Sequence, residues 1–215
     1  MRPVVFHLAD RQMEEGIRAF FRRPDWWHKL GCASFDIDAD FDQDIFRNPL
    51  HKDSQVLLEA HNNLQVYKKS HAHAIVVLDE YFGGTPGADA IRARICGNIA
   101  QSGWPADSFE VIVIQPMLEA WLWTDSEQVE KAFGYHGPPS LRDRMRDDGL
   151  WPAGADKPIE LKKATKTVAS WGGRTSDSAL FRRVFGSSRS IQDCQERGFL
   201  LLRGTLQRWF PKDPA

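Results

Sequence analysis

Cysteine is scarce in this chain and net charge is nearly absent. Only three cysteines, Cys32, Cys96 and Cys194, occur in 215 residues. They are far apart and form no CxxC pair, which excludes a disulfide framework and a zinc finger. The 28 basic and 29 acidic residues leave a net charge of -1, so binding of nucleic acid through bulk charge is excluded and any such contact needs a local patch. No apolar run approaches the roughly 18–20 residues of a membrane helix. No stretch has the charged start, apolar middle and small-residue cleavage pattern of a secretory signal. A soluble, reducing, cytoplasmic setting without membrane contact is therefore expected. Gly-x-Ser-x-Gly, Walker and dinucleotide fingerprints are missing as well, and the Gly83, Gly84 and Gly87 loop fits none of their spacings.

What is present is a set of apolar runs that end in acids. Ala74 to Leu78 is continuously apolar and leads into Asp79 and Glu80, then into a glycine-rich loop and a helix-like stretch over 88–100. Such a run reads as a strand buried on both faces, as in a parallel sheet covered by helices. Phe109 to Ile114 is a second strand, closed by Pro116 and followed by Glu119. Pro3 to Leu8 is a third, and it runs into Asp10 and Glu14. Ligands of open α/β sheets bind just beyond the carboxyl ends of the strands. Acids gathered at that edge could take a hard divalent cation, which prefers carboxylates and retained waters. They could equally cap helix N-termini, where the macrodipole favours negative charge.

The remaining chain reads as follows. Residues 24–54 are irregular, with Asp36, Asp38, Asp40, Asp42 and Asp44 alternating; the glycine and closing glutamate of a calcium loop are missing, so a solvated loop is expected. A helix over 54–69 is capped by Asp53 or Ser54. Another covers 117–133, through Trp121, Trp123 and Asp125. Gly134 to Pro139 is a break. Helices then follow from Ser140 to 147, over 158–170 with Lys162, Lys163 and Lys166, and over 190–209. The fold expected is α/β, with a mostly parallel, Rossmann-like central sheet over 1–135 and a helical C-terminal part over 136–215 packed on it. His71 and His73 share a strand face, but no third zinc ligand accompanies them.

Leu8-Ala9-Asp10-Arg11, Val77-Leu78-Asp79-Glu80, Gly84-x-Pro86-Gly87, Leu118-Glu119-Ala120-Trp121-Leu122-Trp123, Lys157-Pro158 and Arg208-Trp209-Phe210-Pro211 together resemble a Toprim-like family of small bacterial defence-island proteins. More closely, they look like the family formed by the fourth components of the methylation-associated, anti-phage defence system. The broad Toprim pattern has Glu where Asp10 stands, Gly and Thr where Arg11 and Met13 stand, and Asp-x-Asp where Asp79-Glu80-Tyr81 stands. The resemblance implies a role in anti-phage defence alongside other proteins of the same system. On one reading the chain is a nuclease acting on DNA with Mg²⁺, or Mn²⁺ as its substitute. Asp10, Glu14 and Asp79 would hold the metal, with Glu14, Asp79, Glu80 and Glu119 as the catalytic acids and Glu119 or Glu80 as general base. Lys162, Lys163, Lys166 and Arg174 would contact phosphate. On the other reading the site is degraded, and the chain is a scaffold or sensor docking its partners through Trp123, Trp151, Trp171 and Trp209.

Overall fold

The computed structural model describes residues 1–123, 127–187 and 194–212. Four strands form one sheet: β1 (Arg2–Leu8), β2 (Ile45–Arg47), β3 (His71–Asp79) and β4 (Phe109–Ile114). Their order is β2-β1-β3-β4 and every pairing is parallel. Leu8 lies opposite Val77 and Asp79 opposite Ile114, so β1, β3 and β4 end nearly level. The apolar runs explain this arrangement. Val4 to Phe6, Ala74 to Leu78 and Val111 to Ile114 are buried, as strands covered on both faces must be.

Parallel neighbours need crossovers, and helices supply them. α1 (Arg11–Phe21) joins β1 to β2, α3 (Asp53–Leu64) joins β2 to β3, and α4 (Ala88–Gln101) joins β3 to β4. Because β2 and β3 lie on opposite sides of β1, right-handed crossovers send α1 to one face and α3 and α4 to the other. α3 and α4 pack side by side there. On the α1 face, α8 (Ser178–Ser187) packs on α1, and α9 (Arg197–Trp209) packs on β4 and on the short α2 (Trp26–Leu30). Ile17, Phe20, Trp121, Phe185, Phe199 and Leu202 meet in that layer. The C-terminal helices thus complete the sheet's second covering. α5 (Glu127–Phe133), α6 (Leu141–Asp147) and α7 (Leu161–Trp171) extend it. The structure is α/β with an all-parallel sheet and a helical C-terminal region, as expected. Among the described residues, no helix is long and apolar enough to cross a membrane.

Two expectations need correction. The aspartate-rich stretch is a loop with Asp36, Asp40 and Asp42 exposed, as expected, but residues 24–54 are not irregular throughout, since α2 and β2 lie within them and the loop is pinned from inside. Arg18, buried in α1, donates to the Ala39, Phe41 and Ile45 carbonyls and to Asp42, and this clamp lays β2 against β1. Asp44 is fully buried, binding Arg2, His71 Nε2 at 2.9 Å and the Asp38 amide at 2.6 Å. The chain over 117–133 is not one helix either. A 3₁₀ turn at Leu118–Trp121 comes first, Leu122 and Trp123 are not helical, and α5 is a separate element. Asp125 lies outside the described residues, as does the expected helix start at 190.

Candidate functional site

Each of the four strands delivers one acid to the carboxyl edge of the sheet. After β1, Asp10 caps α1, its Oδ1 accepting the Met13 amide at 2.9 Å. After β2, Asp53 opens α3, and its Oδ1 accepts the Asp79 amide at 2.8 Å. Asp79 is the last residue of β3. After β4, Glu119 sits in the 3₁₀ turn. The strand order changes direction between β1 and β3, and that crevice is where open α/β sheets bind ligands. Asp10 and Asp79 flank it.

Asp79 is 7% exposed, and its Oδ1 has no hydrogen-bond partner among the described residues. Burial pushes its carboxyl well above the ordinary carboxylate range; the negative charges of Asp53, Asp10 and Glu119 push it further, against the Leu118 amide. Burial also raises Glu119, which is 6% exposed, although Lys162 and Lys166 oppose the rise. Burial raises Asp53 too, opposed by its bond from the Asp79 amide and by Lys162, with Asp10 adding to the rise. Four carboxylates therefore feel one another in a poorly hydrated place, which is costly unless a proton or a cation joins them.

The two lysines arrive for a reason legible in α7. Ala164, Thr165, Val168 and Ala169 are buried, and the helix packs on the 3₁₀ turn that carries Glu119. Lys162 and Lys166, four residues apart, share a face and look toward the acids. Lys163 does not share that role, because it pairs with Glu160 at 2.7 Å. Arg174 lies elsewhere, with its amide on the Ala169 carbonyl, its side chain over Gly134, and Arg183 close enough to feel its charge.

Two other expected acids are committed to other partners. Glu14 accepts from Arg18 at 3.1 Å and Arg47 at 3.2 Å. Glu80 Oε1 accepts the Ala88 amide at 2.9 Å, so Glu80, not Asp79, caps α4. The histidines form no pair: His71 lies between Ser70 and Asp44, and His73 stacks on Trp209 with ring centroids 4.2 Å apart. Trp123 and Trp151 are buried against each other and cannot anchor a partner; Trp171 and Trp209 are half-buried. Asp53 is the functional candidate the sequence reading left as a helix cap.

The donors at the edge are all oxygen, which suits Mg²⁺ or Mn²⁺ rather than softer ions. The orphaned Asp79 Oδ1 is an atom that such an ion would satisfy. As the side chains stand, no three His, Cys, Asp or Glu among the described residues form a group that could hold a metal ion. A cation would have to draw the carboxylates inward. Comparison with protein-family models, with curated proteins and with solved structures gives no match to this chain.

Proposed function

We propose that this protein is a Mg²⁺-dependent, Toprim-like phosphodiester-acting protein, a nuclease on DNA, that serves in the cytoplasm as a component of a methylation-associated anti-phage defence system. The observation that carries the reading is the buried Asp79 carboxyl, whose Oδ1 has no partner among the described residues and which feels one acid from each of the other strand ends. Asp79 and Asp10 are the residues that would hold the cation. When bound, a divalent ion there supplies charge to the scissile phosphate and acidifies a water. The chain does the rest. Lys162 and Lys166 hold phosphate oxygens as point charges. Glu119, lifted by burial, takes up the proton of the attacking water more readily near neutral pH than an exposed carboxylate would. The Asp53 bond to the Asp79 amide fixes the end of β3 under both.

A second reading is favoured by Glu14, whose commitment to Arg18 and Arg47 removes one expected ligand. In it the edge is vestigial, and the chain serves the other defence proteins as a scaffold or sensor. Calorimetry with Mg²⁺ and Mn²⁺ separates the two. The enzyme reading expects binding by the wild type that is lost in Asp79→Asn, and Mn²⁺-dependent cleavage of DNA that is lost with it. No heat from either protein would refute it and leave the scaffold reading.

A further inference from the structure

Next to the acidic edge lies an open groove of about 430 Å³, whose walls include Tyr81, Met117, Ile159, Glu160, Lys162 and Lys163. We propose that it seats an unpaired base of a single-stranded polynucleotide, with Tyr81 as the stacking platform and Lys162 on the adjacent phosphate. This assignment rests on the phosphodiester reading above and names its substrate as a single strand rather than a duplex.

The placement of Tyr81 is the first argument. The Glu80 amide donates to the Ile114 carbonyl and the Tyr81 amide to the Pro116 carbonyl, both at 2.9 Å. These two bonds carry the β3–β4 pairing past the end of the strands. The Tyr81 backbone is thereby held two residues from Asp79, yet its side chain is 67% exposed. Ile159, across the groove, is 77% exposed. Large apolar groups left in water around one groove, beside a buried acidic site, offer contact to a ligand with an apolar face. Tyrosine also offers a π face, on which any base can stack.

Charge is the second argument. Lys163 is tied to Glu160, whereas Lys162 has no ion pair among the described residues and reaches electrostatically to both Asp53 and Glu119. Lys162 therefore belongs to the groove and to the acidic edge at once. A ligand whose base rests on Tyr81 would bring its phosphate past Lys162 toward Asp79. A duplex cannot use the platform, because its base faces are already stacked on one another; only a flipped or unpaired base can.

The test is fluorescence anisotropy of a labelled oligothymidylate with the full-length protein in EDTA, so that no cation is needed. The expected result is tighter binding of the single strand than of a duplex of equal length. Tyr81→Ala should weaken it roughly 5- to 150-fold, the range measured for one lost base stack, while Tyr81→Phe retains it. Lys162→Gln should weaken it and reduce the salt slope by about 0.7. Unchanged binding by Tyr81→Ala, equal loss in Tyr81→Phe, tighter duplex binding, or thymidine monophosphate binding as tightly as the oligonucleotide would each overturn the assignment. Tyr81-dependent binding without cation uptake would keep the groove and remove the metal; cation uptake without Tyr81-dependent binding would do the reverse.

Discussion

Asp79→Asn should make the cation-free protein more stable at neutral pH, although it removes the residue on which the proposed site depends. The wild-type carboxyl is buried, has one oxygen without a partner among the described residues and feels three other acids. Its folded value lies above the ordinary 3.8, so the folded state resists its ionisation while the unfolded chain does not. The penalty is absent below about pH 4, grows as pH rises through the window between the unfolded and folded values, and is complete above the latter. Asparagine keeps the shape and never ionises. An unpartnered buried polar group costs more when charged than when neutral; relieving that difference, on the order of 1 kcal/mol, means for a chain of this size a rise in Tm of about 2–4 °C. Scanning calorimetry of both proteins in EDTA, from acid to neutral pH, reads this directly. Saturating Mn²⁺ should then reverse the order, because only the wild type gains stability by binding. A variant less stable than the wild type at neutral pH, or a difference that does not shrink on acidification, would refute the reasoning.

The same chain holds an acid with the opposite sign. Burial lifts Asp44, but its bonds from Arg2, His71 and the Asp38 amide outweigh that and hold it at about 2. Its contribution is complete above the ordinary 3.8 and lost as pH falls toward 2, so Asp44→Asn should cost about 2 kcal/mol at neutral pH and progressively less in acid, as urea unfolding at several pH values would record. Around the candidate site, Asp53→Asn should weaken Mn²⁺ binding on the order of 10- to 100-fold, the usual effect of a group that positions a ligand. Glu14→Gln should leave that affinity unchanged, since Arg18 and Arg47 already hold the carboxylate; calorimetric titration of the two variants checks both statements.

The long strands were legible because a strand buried on both faces must be apolar throughout, and β1, β3 and β4 are. β2 was not. Ile45–Arg47 is three residues long and follows five alternating aspartates, a pattern that signals solvent. What turns it into a strand is tertiary: Arg18 donating to the Ala39 and Phe41 carbonyls of the loop before it and to the Ile45 carbonyl of the strand itself, and Asp44 buried against Arg2 and His71. The break between the Leu118–Trp121 turn and α5 was hidden for the opposite reason, since the aromatic and apolar spacing there mimics a helix face.

That missed strand decides how much of the site could be read. Three strand ends suggested Asp10 and Glu14, Asp79 and Glu80, and Glu119, and the structure brings Asp10, Asp79 and Glu119 within electrostatic reach of one another. Asp53 looked like a helix cap because the strand that delivers it was invisible. Local spacing also could not say which acids were free. Glu14 and Arg18 are four residues apart on α1, a pairing that competes with metal ligation, and its second partner Arg47 comes from the missed β2. Glu80 caps a helix eight residues further on. An acid at a strand end is thus a site candidate only once its neighbours are known. Asp79 meets the stricter condition here: it is buried, one oxygen has no partner among the described residues, and the acids whose charge it feels follow the three other strands.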